Sequence, residues 1–276
     1  MCDDPPVQLF TVQSAGPADR ALLVIHGGPD WDHSYLREPL VRIADVRRMI
    51  WADLRGCGRS STGLPAGAYT PDAAVADLIA LLDALELAEV DVLGFSYGGM
   101  LAERLALAVP HQIRRLIIAS SSIPPVPEDA YADWPEAAEL QAAGHALWAD
   151  DPEPSPALVR ADAIAGIAAN VWRPEARADY RDRLEAVHFT AEWSRSWVDG
   201  TLPPARPKDA ERRLAALGLP ILLLHGRQDM TFPARLAEQS AAAIPQAHAV
   251  VLDQAGHMAH VDQPDAWLDA VTAFLD

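Results

Sequence analysis

The sequence contains little cysteine and almost no lysine. Its two cysteines cannot form a disulfide framework. Cys57 lies between two glycines with no metal-ligand spacing around it, so we expect no metal site. Lys208 is the single lysine, and 22 basic residues against 39 acidic ones give a formal charge of −17. This charge repels phosphate backbones and anionic lipid headgroups, so we expect neither nucleic acid nor a membrane as a partner.

Long apolar runs are also missing, and we expect no secretory leader. The apolar stretch 78–87 is interrupted by Asp83 and Glu86, and nothing reaches the roughly 20 residues that cross a bilayer. The chain begins Met1, Cys2, Asp3, without the basic and then apolar segments of a secretory signal. We therefore expect a cytoplasmic protein, and the composition leaves its oligomeric state open.

Short apolar runs alternate with longer amphipathic segments along the chain. The apolar runs predict buried parallel strands at 21–25, 48–51, 90–93, 116–119, 221–224 and 249–252. The amphipathic segments predict helices at 71–87, 99–109, 234–244 and 263–275. The alternation indicates an α/β fold with a mostly parallel, doubly wound sheet.

The alternation fails between about residues 123 and 214, where helix-like pieces follow one another without a strand. We predict a core of residues 1–122 and 214–276 and a helical cap of residues 123–213, inserted after the sixth strand. Prolines at 124–127 and 203–207 indicate hinges at its two ends. Because open α/β sheets bind ligands at the carboxyl ends of their strands, this cap should lie over the ligand site.

The strongest local motif is Gly94-Phe95-Ser96-Tyr97-Gly98, which fits G-x-S-x-G between a predicted strand and a predicted helix. A nucleophile on such a tight turn needs small neighbours two residues away on each side, and the helix N-terminus favours negative charge beside it. The motif therefore predicts Ser96 as a nucleophile.

A serine hydroxyl needs a base to accept its proton, and in such folds the order along the chain is Ser, acid, His. His257 directly follows the predicted strand 249–252, so we predict it as the base, with His260 as a competitor that we expect to pack or face solvent. Asp229 follows the preceding strand and is the predicted acid. Asp253 is the fallback for that role.

Acyl transfer also needs two hydrogen-bond donors for the oxyanion. One should be the N–H of Tyr97, which follows the nucleophile. The other should come from the loop His26–Pro29 after the first predicted strand. We choose Gly28 there because glycine lets the backbone approach a substrate. This chemistry implies no cofactor.

Three motifs carry a family resemblance: His26–Pro29 (HGGP), Asp53–Ser60 (DLRGCGRS) and Gly94–Gly99 (GFSYGG). With them the sequence resembles the α/β-hydrolase superfamily, and within it the proline iminopeptidase-like group, over residues 7–122 and 214–276. The resemblance implies an α/β-hydrolase fold with the cap as an insertion. Arg55, in the second motif, should fix its loop by a salt bridge or backbone contact.

The sequence departs from the iminopeptidase-like pattern in two places. Asp30 stands where that group's loop has its last glycine, which should add a charge near the mouth of the pocket. The resemblance also implies acidic residues in the cap that anchor a substrate ammonium group. Glu185 is the candidate anchor, and Glu153 and Glu175 are candidates for a second one.

These observations predict a serine hydrolase that cleaves a small ester, amide or short peptide through an acyl-serine intermediate. An esterase, lactonase or thioesterase and an iminopeptidase-like aminopeptidase both fit the core, with a slight preference for the esterase. Two other classes remain open: a non-catalytic protein that binds a small ligand, and a cofactor-free lyase or oxygenase on the same fold.

Overall fold

A computed structural model describes residues 7–150 and 152–276 of the chain. Within them one seven-stranded sheet has the order β1-β3-β2-β4-β5-β6-β7. Its strands are β1 (Thr11–Gln13), β2 (Ala21–Ile25), β3 (Arg48–Ala52), β4 (Val90–Phe95), β5 (Ile113–Ala119), β6 (Ile221–Gly226) and β7 (Ala247–Leu252). β1 pairs antiparallel with β3, and every other pair is parallel. The predicted α/β fold class is confirmed.

The central strands are buried on both faces. β2, β4 and β6 have every residue buried, as continuous apolar runs predict. In β2, Leu23 belongs to the apolar cluster on one face of the sheet and Leu22 to the cluster on the other. Helices therefore cover both faces, and the chemistry must lie at an edge of the sheet.

Twelve α-helices are present in the described part of the chain. They are α1 (Arg37–Leu40), α2 (Pro71–Ala84), α3 (Tyr97–Ala108), α4 (Pro135–Trp148), α5 (Pro156–Ala165), α6 (Ile167–Asn170), α7 (Arg177–Ala186), α8 (Glu192–Val198), α9 (Ala210–Leu217), α10 (Ala234–Ala243), α11 (Ala259–Asp262) and α12 (Pro264–Leu275). Thr70 begins α2 by accepting a hydrogen bond from the N–H of Ala73, with Pro71 in the first turn. None of the helices in 7–150 and 152–276 is long and apolar enough to span a membrane.

Helices α4 to α9 lie between β5 and β6, with no strand among them in the described residues. The insertion therefore follows the fifth strand of this sheet, and the predicted position after the sixth is wrong. The difference arises because a single strand, β1, precedes β2 in the described residues. The predicted boundary at 213/214 falls inside α9, which buries Ala210 and Leu214 in the apolar cluster of the core.

Candidate active site

Ser96 occupies the turn that joins β4 to α3. Its backbone has φ 55° and ψ −120°, outside the regions that a serine normally adopts. Neighbouring backbone segments pack closely around this turn. A Cβ at Gly94 would lie 2.3 Å from the Gly98 carbonyl oxygen, and a Cβ at Gly98 would lie 2.3 Å from the Ile25 carbonyl oxygen. Both glycines are therefore required for the strained turn that exposes the Ser96 hydroxyl.

His257 lies between Ser96 and Asp229. Its Nε2 is 3.1 Å from the Ser96 Oγ, and its Nδ1 is 3.0 Å from the Asp229 Oδ2. The three residues are separated by up to 161 positions in sequence, and parallel strands bring them to the same sheet edge. Both distances are hydrogen-bond distances, so a proton can pass from the hydroxyl to the imidazole.

Asp229 is buried, and its surroundings keep it charged. Burial alone would raise its pKa, but attraction to His257 and hydrogen bonds from His225 and His257 outweigh that effect and hold the pKa below its usual range. The N–H groups of Thr231 and Phe232 also donate to Oδ1. His225, the second histidine beside the acid, was not predicted as part of the site. The sequence of a strand does not show which loop residues will contact its last side chains.

The alternative residues lie elsewhere. The fallback acid Asp253 is 76% exposed and pairs with Arg227, so it does not contact the imidazole of His257. His260 packs among Tyr35, Phe95 and Trp267, and burial lowers its pKa well below the usual value. It is held as a neutral core residue.

The two expected oxyanion donors stand beside the nucleophile. Tyr97 opens α3 directly after Ser96, and Gly28, with φ 110°, lines the same cavity. Among the hydrogen bonds of residues 7–150 and 152–276, neither N–H has an acceptor. The loop approaches closely because Gly27 has no side chain: a Cβ there would lie 2.8 Å from the Cβ of Ser96.

A cavity of about 520 Å³ opens above Ser96. Core residues such as Trp31 and Met258 form one side. Inserted helices form the other side through His145, Trp148, Val159, Asp162, Asn170, Trp193 and Trp197. Seven of the 19 lining residues are tryptophan, tyrosine or phenylalanine, and Ser96 and His257 also line the cavity.

The acidic residues expected to anchor an amine do not reach this cavity. Glu185, Glu153 and Glu175 are exposed and do not line it. In α7 the buried face carries Tyr180 and Leu184, which turns the neighbouring Glu185 to the surface. Asp162 of α5 is the acidic side chain that lines the cavity. Sequence reasoning missed it because no motif marks a single aspartate in a helix.

Asp30 is buried, so the expectation of a charge at the pocket mouth is wrong. Its carboxylate accepts hydrogen bonds from the N–H groups of Trp193 and Ser194 at the start of α8 and from the Ser194 and Thr190 hydroxyls. Donors at a helix N-terminus attract a carboxylate, which explains why the side chain turns inward. Asp30 therefore ties the loop of Gly28 to the insertion.

The loop of His257 is tied to the insertion in the same way. Asp262 accepts hydrogen bonds from the N–H groups of Gly256, Trp172 and Arg173. The N–H of Met258 donates to the carbonyl of Asn170. Arg55 lies away from this region and forms a bidentate pair with Asp77, which fixes its turn as expected.

A strained serine at a strand-to-helix turn, a histidine and an aspartate after later strands, and a helical insertion above them are the features of the α/β-hydrolase class. The family described as the alpha/beta hydrolase fold matches residues 20–264, and the chain belongs to it. The superfamily that the sequence motifs indicated is thereby confirmed.

Individual relatives are hydrolases of several kinds. A 2-hydroxymuconate semialdehyde hydrolase of Pseudomonas sp. (strain CF600) is 31% identical over 264 residues, which cover 92% of this chain and 86% of that protein. A proline iminopeptidase of Levilactobacillus brevis is 30% identical over 272 residues, which cover 92% of this chain and 87% of that protein. The structure of a thermophilic esterase from Thermogutta terrifontis has a TM-score of 0.73 at 25% identity, covering 98% of this chain and 93% of that one.

Proposed function

We propose that this protein is a serine hydrolase that cleaves a small ester or amide through an acyl-serine intermediate. The observation that carries the proposal is the hydrogen-bonded series from Ser96 through His257 to Asp229 at the wall of the cavity. Its relatives are hydrolases on the same fold, which supports the reaction class.

In the proposed reaction the Ser96 Oγ attacks the substrate carbonyl while His257 Nε2 takes the hydroxyl proton. Asp229 orients the imidazole with its proton on Nδ1 and stabilises the imidazolium that forms. The N–H groups of Gly28 and Tyr97 stabilise the oxyanion. His257 then gives the proton to the leaving group, and a water molecule, activated by the same histidine, hydrolyses the acyl-serine.

We further propose that the insertion acts as a cap, as predicted from the sequence for residues 123–213, but that this cap ends at residue 209, before α9. Their helices supply one wall of the cavity over Ser96, and Asp30 and Asp262 hold them against the two loops of the site. A cap in this position would exclude bulk water and select the substrate.

A fluorophosphonate probe tests the nucleophile. We expect the wild-type protein to be labelled at Ser96, and the Ser96→Ala variant to be unlabelled and to lose hydrolysis of p-nitrophenyl acetate. Ser194→Ala is the matched control, because Ser194 lines the same cavity but its hydroxyl donates to Asp30. Labelling that persists in a folded Ser96→Ala protein contradicts the proposal.

A further inference from the structure

Four tryptophans line the cavity above Ser96: Trp31, Trp148, Trp193 and Trp197. Trp148 and Trp197 are 5.7 Å apart at an interplanar angle of 87°, so they form two walls of a corner. Trp197 is 60% exposed at the mouth of the cavity. An exposed tryptophan beside a pocket offers its π-face to a ligand.

Asp162 is the acidic residue of this wall. A Cβ at Gly144 would lie 2.8 Å from its Oδ1, so the carboxylate packs tightly against α4. Burial raises the pKa of Asp162, and hydrogen bonding with the side chain of Trp148 acts in the opposite direction. The carboxylate therefore belongs to the same cluster as the aromatic corner.

No lysine or arginine balances that carboxylate among the described residues that line the cavity. Its basic neighbour there is the exposed His145, whose attraction also lowers the pKa of Asp162. A partly buried carboxylate that faces only an exposed histidine is further stabilised when a ligand brings a positive charge. The same wall lacks a cation that would hold a substrate carboxylate.

We propose that the cavity recognises an organic cation, an ammonium group carried by the ester or amide that Ser96 cleaves. The cation would lie in the corner of Trp148 and Trp197 with Asp162 as its counter-charge. Aromatic faces attract ammonium groups, and a neighbouring carboxylate adds to the attraction. The formal charge of −17 would also favour the approach of a cation. This inference rests on the proposed hydrolase function for the reaction but not for the binding.

Choline and 3,3-dimethylbutan-1-ol form the decisive pair of probes, because they have the same shape and differ in charge. Calorimetry on the wild-type protein measures the binding of each without any turnover. We expect choline to bind at least about tenfold more tightly, an increment of about 1.4 kcal/mol. A choline affinity no greater than that of the neutral alcohol overturns the proposal.

Two variants locate the binding site. Asp162→Asn should reduce the preference for choline to below about threefold, whereas Glu185→Gln removes an equal charge from the exposed face of the insertion and should leave it unchanged. Trp197→Leu, at an exposed position that tolerates replacement, should weaken choline binding by about threefold through loss of the π-face. A preference that survives both Asp162→Asn and Trp197→Leu, or that Glu185→Gln abolishes, contradicts the assigned site.

These measurements separate the two proposals. Ester hydrolysis that depends on Ser96, together with equal binding of the two probes, retains the hydrolase and rejects the cation site. A choline preference in a protein that hydrolyses no ester retains the cation site and rejects the hydrolase.

Discussion

The carboxylate of Asp30 is the most informative single group to perturb, because it joins the loop of Gly28 to the N-terminus of α8. It accepts from the Trp193 N–H at 3.0 Å, the Ser194 N–H at 2.7 Å, the Ser194 hydroxyl at 2.6 Å and the Thr190 hydroxyl at 3.1 Å. Hydroxyls can rotate toward other acceptors, and Thr190 already contacts the Gly56 carbonyl at 2.6 Å. The cost of losing Asp30 therefore depends mainly on the two backbone donors.

Asp30→Ala leaves the buried N–H of Trp193 and the partly buried N–H of Ser194 without an acceptor, at about 1 to 3 kcal/mol each. Its φ of 72° adds about 1 kcal/mol of strain for alanine. We therefore expect Asp30→Ala to lower the free energy of unfolding by about 5 kcal/mol. Asp30→Gly should be about 1 kcal/mol less damaging, because glycine accepts the positive φ. Asp30→Asn keeps one acceptor oxygen and should cost about 2 kcal/mol.

Urea unfolding followed by tryptophan fluorescence at pH 7 measures all three values, with the slope m checked for constancy. The expected order of stability is wild type, then Asn, then Gly, then Ala. If Asp30→Asn unfolds within about 0.5 kcal/mol of wild type, the carboxylate does not hold the insertion and the reasoning fails. If Gly is less stable than Ala, the backbone strain is not present.

Two further predictions concern the acid and a core histidine. Asp229→Asn should lower kcat by several orders of magnitude, about 10⁴-fold in the best-studied triad, because the amide no longer holds the imidazole tautomer. Steady-state kinetics should show almost no loss of kcat for Asp253→Asn, which changes an exposed residue. A large loss in Asp253→Asn with almost none in Asp229→Asn would assign the role of the acid to Asp253. Burial lowers the pKa of His260. Below about pH 6.5 the unfolded chain therefore binds a proton at this residue that the folded protein does not bind. The free energy of unfolding should decrease as the pH is lowered, by up to about 1.4 kcal/mol per pH unit. In urea unfolding at pH 6.5 and 5.5, His260→Phe should flatten that dependence and the exposed control His248→Phe should not; an unchanged slope in His260→Phe would refute the explanation.

The central strands could be predicted from the sequence because their burial is complete. Continuous apolar runs identified β2 to β7, and the structure extends most of them by one to three residues. β1 could not be predicted, since Thr11–Gln13 is a three-residue edge strand with no apolar run. β1 forms because it pairs with β3, and the local sequence pattern of residues 11–13 does not predict this pairing.

The positions of Ser96, Asp229 and His257 could be predicted from the order of strands, because parallel strands bring their carboxyl ends to one edge. The wall formed by the insertion could not. Asp162 and Trp148 reach the cavity through helix packing and through the bonds of Asp30 and Asp262, which link residues more than 80 positions apart. Motif-level similarity favoured Glu185 instead, and the packing of α7 turned that residue outward.

Asp30 and Asp262 hold the insertion by its backbone, and this has a consequence for how the protein can change. Every residue except proline offers a backbone N–H. These two carboxylates therefore depend on the course of the insertion's backbone and on almost none of its side chains. Residues such as Trp148, Asp162 and Trp197 are then free to be replaced without loosening the attachment. Substrate preference can therefore be altered by substituting side chains on the inserted helices, while the loops that carry Gly28 and His257 keep their positions.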